Sequence, residues 1–257
     1  MDGFAGRGWA RVSATGLADW ARAVWPAAVA AVAGSSDPWR CGGTWFAGVD
    51  ALDNDSAGRV PGGPALPLLQ GPAFAPLPMA GLALHRAQIS VTRPGYPQAW
   101  DGESDAAFRF RLRRDAAHLD GLLPVGAARR RMIREPHGWI LGVALTECDA
   151  GASPLVVWEG SHRPLRAALA GVLADHPAQD WSDVDVTDAY QAARAGVFDT
   201  CRRLPVSLAR GEAVVLHRHL LHGIAPWAAG AIAPPEGRIM AYFRPLMPSV
   251  AAWMSDL

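Results

Sequence analysis

Six short segments of the chain have the hydrophobic pattern of β-strands. Apolar residues in them either alternate with polar ones, as in a strand with one buried face, or run continuously, as in a fully buried strand. Residues 108–113 alternate most strictly, with Phe108, Phe110 and Leu112 on one face and three arginines on the other. The predicted strands cover residues 87–91, 108–113, 139–145, 154–158, 213–217 and 238–243.

Helical patterns are fewer, and a long Gly/Pro-rich stretch separates the first helix from the first strand. The helices are predicted at residues 17–32, 163–173 and 188–195, the first with Thr15 as a cap. Many short strands with Gly/Pro turns favour a mainly β fold with flanking helices, such as a sandwich, barrel or jelly roll. We expect one domain over 1–257, with an N-terminal helix and rim over 1–81 and the β core over 82–247.

Composition narrows the possible functions. The chain has 257 residues, and its 24 basic residues, all of them arginine, balance 24 acidic ones. Without lysine, neither a Schiff-base enzyme nor a P-loop nucleotide site is possible. The absence of net charge gives no reason to expect nucleic acid or a membrane surface as a partner. Three scattered cysteines predict no disulfide framework, and we expect a cytoplasmic protein.

Two histidine-containing segments carry candidate metal chemistry. His118 and Asp120 are two residues apart, so in an extended segment both side chains point to one side. A third ligand from residues 211–223 would complete two histidines and one carboxylate, the facial triad of non-haem Fe(II) oxygenases. That segment offers His217, His219 and His222.

Two further residues are candidates for binding an organic anion. Arg238 follows His222 by 16 residues, at the start of a strand expected to run beside the His222 strand, and its guanidinium could hold a carboxylate. Gln88 lies on a strand expected beside that of His118 and could hydrogen-bond the same ligand. The arginine face at residues 109–113 could attract an anionic substrate, although such faces are more often solvated.

Four stretches in this order resemble the phytanoyl-CoA dioxygenase family of Fe(II)- and 2-oxoglutarate-dependent oxygenases. They are 118–120 (HLD), 153–163 (SPLVVWEGSHR), 211–226 (GEAVVLHRHLLHGIAP) and 238–242 (RIMAY). The resemblance implies a double-stranded β-helix, a cupin-like jelly roll. It also implies His118, Asp120 and His222 as iron ligands, and Arg238 as the partner of the distal carboxylate of 2-oxoglutarate.

The expected activity is therefore hydroxylation of a small-molecule substrate with Fe(II), 2-oxoglutarate and O₂. Two other functions remain open: a cupin-like metalloenzyme that does not use 2-oxoglutarate, and a jelly-roll binding protein without catalytic activity. Arg238 argues against the metalloenzyme, which would not require it, and the intact set of His118, Asp120, His222 and Arg238 argues against the binding protein, since a degraded site would usually lose one member. The sequence names neither the substrate nor the oligomeric state, monomer or homodimer.

Overall fold

The computed structural model describes residues 3–67 and 84–255. Its helices are α1 (Phe4–Arg7), α2 (Leu17–Gly34), α3 (Asp105–Arg114), α4 (His162–Leu173), α5 (Thr187–Thr200) and α6 (Val250–Met254), with a 3₁₀ turn at Ala178–Asp183. Its strands are β1 (Trp9–Val12), β2 (Trp45–Gly48), β3 (Gln88–Thr92), β4 (Leu122–Val125), β5 (Arg130–Ile133), β6 (Trp139–Ala144), β7 (Leu155–Trp158), β8 (Arg203–Val206), β9 (Ala213–His217), β10 (His222–Ile224) and β11 (Arg238–Phe243).

Two antiparallel sheets face each other across an apolar layer. The larger has the strand order β1-β9-β6-β11-β3-β2 and the smaller has the order β10-β7-β8. A bridge between His118 and His222 adds the His118 segment to the free edge of β10. Between the sheets lie buried residues of both: Ile140, Val214, Leu216 and Met240 from the larger, and Leu155, Val157 and Val206 from the smaller. The predicted mainly β architecture is confirmed.

Helices cover the outer face of each sheet, as predicted. Helix α2 packs Trp20 and Val24 against Ile89 and Phe243 of the larger sheet. Helices α4 and α5 cover the smaller sheet, where the leucines of α4 contact the outward-facing Trp158. Each fully buried aliphatic or phenyl side chain stabilises the fold by about 1.5–3 kcal/mol, so these faces hold the sheets together. None of the described helices is long and apolar enough to span a bilayer.

The strand predicted at residues 108–113 is wrong, because this segment forms helix α3. Ser104 begins the helix, and its hydroxyl accepts a hydrogen bond from the Ala107 amide. No residue of α3 is buried, so the alternation of apolar and charged residues reflects no buried strand face. Alanine and arginine are strong helix formers, and their preference decides the conformation of an exposed segment.

Two expected strand pairings are also wrong. Strand β11, which carries Arg238, pairs with β3 and β6 rather than with β10. Strand β3, which carries Gln88, pairs with β11 and β2 rather than with the His118 segment. Arg238 and Gln88 thus belong to the larger sheet, whereas His118 and His222 belong to the smaller. A ligand that contacts both pairs of residues must therefore span the layer between the sheets. The Gly/Pro-rich stretch 34–81 contains β2, and its residues 68–81 lie outside the described part.

Candidate metal centre

The structure brings His118, Asp120 and His222 together. Their ligand atoms all lie within 4.8 Å of one another. Oδ1 of Asp120 is 3.2 Å from Nε2 of His118 and 3.7 Å from Nε2 of His222. Two imidazoles and one carboxylate that converge in this way are a donor set typical of a facial Fe(II) site.

Backbone pairing fixes the two histidines side by side. The amide of His118 donates to the carbonyl of His222 (2.8 Å), and the amide of His222 donates to that of His118 (3.1 Å). The residue after His222 must be glycine, because a Cβ on Gly223 would lie 2.1 Å from the Asp115 carbonyl oxygen. Gly121, after Asp120, has φ +90° and leaves no room for a Cβ beside the Glu135 carbonyl. Both glycines let two chain segments approach closely enough to form the site.

Carbonyl contacts orient both imidazole rings. Nδ1 of His118 is 3.0 Å from the Ala116 carbonyl oxygen, and Nδ1 of His222 is 3.0 Å from that of Leu220. A carbonyl oxygen can only accept, so each Nδ1 carries the proton and donates it. Each Nε2 is then the atom available to a metal, which is the usual way in which histidine ligands are held in one tautomer.

Local charges favour the protonation states that metal binding requires at Asp120 and His222, whereas at His118 they favour the protonated form, from which a metal must displace the proton. Burial would raise the pKa of Asp120, but the hydrogen bond to His118 and the charges of His222, His118 and Arg244 hold this pKa well below its ordinary value. Burial and the charge of His118 lower the pKa of His222 to about 4. Burial acts to lower the pKa of His118, but Asp120 outweighs it and raises this pKa. An ionised carboxylate and neutral imidazoles are the forms that bind metal.

Arg244 holds the other oxygen of Asp120. It lies one residue beyond β11, and its Nη1 is 3.3 Å from Oδ2 of Asp120, opposite the oxygen that faces the histidines. Arg244 is not among the site residues predicted from the sequence. Its signal is the even spacing from Arg238, because residues two, four or six apart on one strand project from the same face.

Gln88 lies at the same site. A cavity of about 180 Å³ is lined by all three triad residues and by Gln88 and Tyr242, which are opposite each other in the β3–β11 pairing. Ile140 and Leu155, which belong to the apolar layer between the two sheets, also line this cavity and form its apolar floor. The cavity therefore lies between the sheets, next to the candidate metal ligands.

Arg238 lies deeper on the same face of β11, opposite Thr92 of β3. Both of its terminal nitrogens and the Thr92 hydroxyl are buried without a hydrogen-bond partner among the described residues. Buried polar groups are almost always paired, so an unpaired guanidinium beside an unpaired hydroxyl indicates a place for an anionic ligand. Arg238 lies four positions before Tyr242 on β11, about 13 Å along the strand. Arg238 and Thr92 therefore offer hydrogen-bond donors to one buried carboxylate.

The other two histidines of residues 211–223 lie away from the triad. His217 and His219 are buried, with ring centroids 5.3 Å apart, and the ring of His219 packs against Trp253. His162 contacts His217 with a centroid distance of 4.6 Å. Among the described residues, no other group of three metal-ligand side chains converges as the triad does.

Comparison with known proteins establishes the fold. No protein-family model and no curated protein sequence matches this chain. Among solved structures, the chain resembles the non-haem α-ketoglutarate-dependent carbocyclase SnoK from nogalamycin biosynthesis. Their TM-score is 0.50 with 14% sequence identity, over 95% of this chain and 81% of SnoK. At this identity the likeness shows that the two chains share a fold.

Two further structures align with lower scores. The α-ketoglutarate-dependent epimerase SnoN has a TM-score of 0.49 and 13% identity, over 99% of this chain and 86% of SnoN. EctD from S. alaskensis, in a structure with 2-oxoglutarate and 5-hydroxyectoine, has a TM-score of 0.47 and 14% identity, over 97% of this chain and 74% of EctD.

Proposed function

We propose that this protein is a non-haem Fe(II)- and 2-oxoglutarate-dependent oxygenase built on a double-stranded β-helix, similar to the phytanoyl-CoA dioxygenase family, that hydroxylates a small-molecule substrate. The observation that carries the proposal is one site with two complementary parts. The His118, Asp120 and His222 donor atoms converge at a cavity between the sheets, and the unpaired Arg238 lies buried on the same strand face that lines it.

Each part of the site has a role in this proposal. His118, Asp120 and His222 would hold Fe(II) and leave its remaining coordination positions open to ligands. Arg238 and Thr92 would bind the distal carboxylate of 2-oxoglutarate, and Gln88 would hydrogen-bond the cosubstrate nearer the triad. When bound, Fe(II) and 2-oxoglutarate supply the oxidising chemistry, in which O₂ is consumed and 2-oxoglutarate is converted to succinate and CO₂.

The residues of the chain control position, charge and access to water. Arg244 fixes Oδ2 of Asp120, which leaves Oδ1 directed at the two histidines. Ile140 and Leu155 form an apolar floor of the cavity between the sheets. Arg238 is itself buried, which strengthens its attraction to a carboxylate, because a low dielectric screens charges less.

The activity of the similar structure SnoK defines what a product assay must cover. SnoK is described as an α-ketoglutarate-dependent carbocyclase. Hydroxylation is the activity we propose here, since it requires no second reacting group on the substrate. The products of a turnover assay should therefore be identified by mass, with an added oxygen atom as the expected result.

We further propose that residues 1–257 form one oxygenase domain that works in the cytoplasm. Strands β1 and β2 precede residue 82, and both belong to the larger sheet that carries Arg238. Cys41, Cys148 and Cys201 are all free thiols, which suits a reducing compartment.

Calorimetric titration of the purified chain tests the function. We expect Mn(II), a redox-stable substitute for Fe(II), to bind at a single site, and 2-oxoglutarate to bind only when the metal is present. His118→Ala and Asp120→Asn should abolish Mn(II) binding, 2-oxoglutarate binding and the formation of succinate with Fe(II) and O₂. His176→Ala, which removes an exposed histidine, should change none of these three measurements.

The outcomes separate the three candidate functions. Metal binding without 2-oxoglutarate binding would indicate a metalloenzyme of another class. Absence of both would indicate a binding protein that has kept only the fold. Full succinate formation by the Asp120→Asn variant would contradict the assignment of the metal ligands.

A further inference from the structure

A second, larger cavity adjoins the candidate metal centre. It has a volume of about 700 Å³, and it shares Arg40, Trp45 and His118 with the cavity between the sheets. This size is within the range of sites for drug-sized molecules, and it is well above the 180 Å³ of the cavity that suits the cosubstrate. A substrate bound there would lie directly beside His118.

The charged residues lining this larger cavity, apart from His118, are all arginines. They are Arg40, Arg111, Arg131 and Arg194, and no aspartate or glutamate is among the described residues that line it. Arg111 is neutralised by an ion pair with the buried Glu103. The other three have no carboxylate within 4 Å among the described residues, so their positive charge remains available to a ligand.

Two of these three guanidinium groups, those of Arg131 and Arg194, are nevertheless held in place. Nη1 of Arg131 donates to the Leu122 carbonyl (3.2 Å). The guanidinium of Arg194 lies over the Phe110 ring at 4.8 Å and over the Tyr190 ring at 5.1 Å. Neither contact neutralises charge. An arginine that is oriented but not paired is suited to binding the acid group of a ligand.

Aromatic rings form much of the remaining wall. Trp39, Trp45 and Trp100 line the larger cavity together with Phe110. Trp100 is 43% exposed, which is unusual for a side chain of this size and leaves part of the indole open to solvent or ligand. Indole and phenyl faces favour flat, apolar groups, because such groups bury area and stack on the rings.

We propose that the primary substrate is an acid with a planar, apolar body: an organic carboxylate or phosphate whose ring system lies against the tryptophans and whose anionic group is bound by Arg131 and Arg194. This inference rests on the proposed function, since it places the substrate beside the candidate iron ligands. It adds a substrate class that the triad alone does not define.

Binding of two matched probes tests the proposal. We would titrate 2-naphthoate and its uncharged isostere 2-naphthamide into the protein saturated with Mn(II) and 2-oxoglutarate, so that the cosubstrate site is already filled. Because hydrogen bonds between arginine and a carboxylate are charge-assisted, we expect naphthoate to bind about tenfold more tightly than naphthamide, or better. Added salt should weaken the binding of naphthoate and leave that of naphthamide unchanged.

Variants identify the residues responsible. Arg131→Gln and Arg194→Gln should each lower naphthoate affinity about tenfold, and unchanged naphthamide affinity in the same variants would show that the cavity is intact. Arg113→Gln is the matched control, because Arg113 is exposed on α3 and does not line the cavity. Benzoate should bind more weakly than naphthoate, because its single ring buries less area against the aromatic side chains of the larger cavity.

Equal affinities for naphthoate and naphthamide would overturn the proposal. A loss of naphthoate affinity in the Arg113→Gln control equal to that in Arg131→Gln and Arg194→Gln would also overturn it. Failure of Mn(II) or 2-oxoglutarate to bind would instead contradict the proposed function. In that case the same probe comparison in the metal-free protein still decides whether the larger cavity binds flat acids.

Discussion

Arg238 is the residue whose environment most directly indicates a missing ligand. Its terminal nitrogens and the Thr92 hydroxyl are buried and unpaired among the described residues, and the two side chains project from opposed positions on one face of the larger sheet. Directly opposed antiparallel residues have Cβ atoms about 5 Å apart, so one carboxylate can contact both. Their unpaired state has a cost that a bound carboxylate would remove.

We therefore expect Arg238→Gln to weaken metal-dependent 2-oxoglutarate binding by tenfold or more, because a hydrogen bond to a charged group contributes about 1.5–3 kcal/mol. Thr92→Val should have a smaller effect, since it removes one uncharged donor and preserves the shape of the side chain. Calorimetry with Mn(II) measures both effects. The metal affinity itself should not change in either variant, and Arg109→Gln, an exposed position on α3, should behave as the wild type. Wild-type 2-oxoglutarate affinity in Arg238→Gln would show that the anion binds elsewhere.

The sequence predicted only those site residues that local patterns could reveal. His118 and Asp120 are two residues apart, and Arg238 begins a strand that is apparent from hydrophobicity alone. Thr92 and Arg40 have no such local signal, because only the tertiary structure places Thr92 opposite Arg238 and Arg40 at the two cavities. Arg244 could have been found from its even spacing with Arg238, but its contact with Asp120 depends on the opposite sheet.

At the scale of elements, one ion pair connects helix α3 to the smaller sheet just before the His118 segment. Asp115 follows the last residue of α3, and its carboxylate, only 2% exposed, accepts two hydrogen bonds of 2.7 Å from Arg203 at the start of β8. The carbonyl of Asp115 also accepts from the amide of Ile224 in β10 (2.8 Å). This residue therefore connects three elements around the triad.

Arg203→Gln should lower the free energy of unfolding by about 1–3 kcal/mol, because it leaves a buried carboxylate without its charged partner and Arg203 itself is partly exposed. Urea denaturation measures this loss. Arg202→Gln, at the neighbouring exposed position, should change stability by no more than about 0.5 kcal/mol. If the two variants lose equal stability, the bidentate pair does not connect these elements as described.

The strands that could be predicted are those with buried faces. Strands β9 and β11 have the predicted bounds, because both are almost fully buried in the larger sheet and their apolar runs reflect that burial. Helix α3 buries no residue, so its hydrophobic pattern contained no information on packing. The positions of the strands were predicted more accurately than their pairing. Strands that are neighbours in these sheets are often far apart in the sequence, so sequence order does not indicate which strands pair.

At the scale of the whole molecule, buried histidines make stability depend on pH, and three of them, His162, His217 and His219, form one cluster away from the triad. Burial, together with the charge of His162, lowers the pKa of His217 to about 2. Burial and the charge of His217 hold the pKa of His219 well below its ordinary value, and burial also lowers that of His162. All three are neutral in the fold, whereas in the unfolded chain each has a pKa near its ordinary value of about 6.5.

The free energy of unfolding should therefore fall as the pH falls below about 6.5. In that range the unfolded chain binds protons that the fold does not, so acid favours unfolding, and the slope approaches about 1.4 kcal/mol per pH unit for each such histidine. Between about pH 6 and pH 5 most carboxylates are still ionised in both states, which isolates the contribution of the histidines. Urea denaturation in EDTA, which removes any contribution from metal binding, measures the slope.

His219 provides the sharpest test of this pH dependence. Its two ring nitrogens are buried without a partner among the described residues, so His219→Leu removes the proton-binding group and fills a similar volume. The slope in this variant should decrease by about 1.4 kcal/mol per pH unit. His176→Gln removes an exposed imidazole and is expected to leave the slope unchanged. If His219→Leu kept the full slope, the acid sensitivity would have to arise from groups other than this buried cluster.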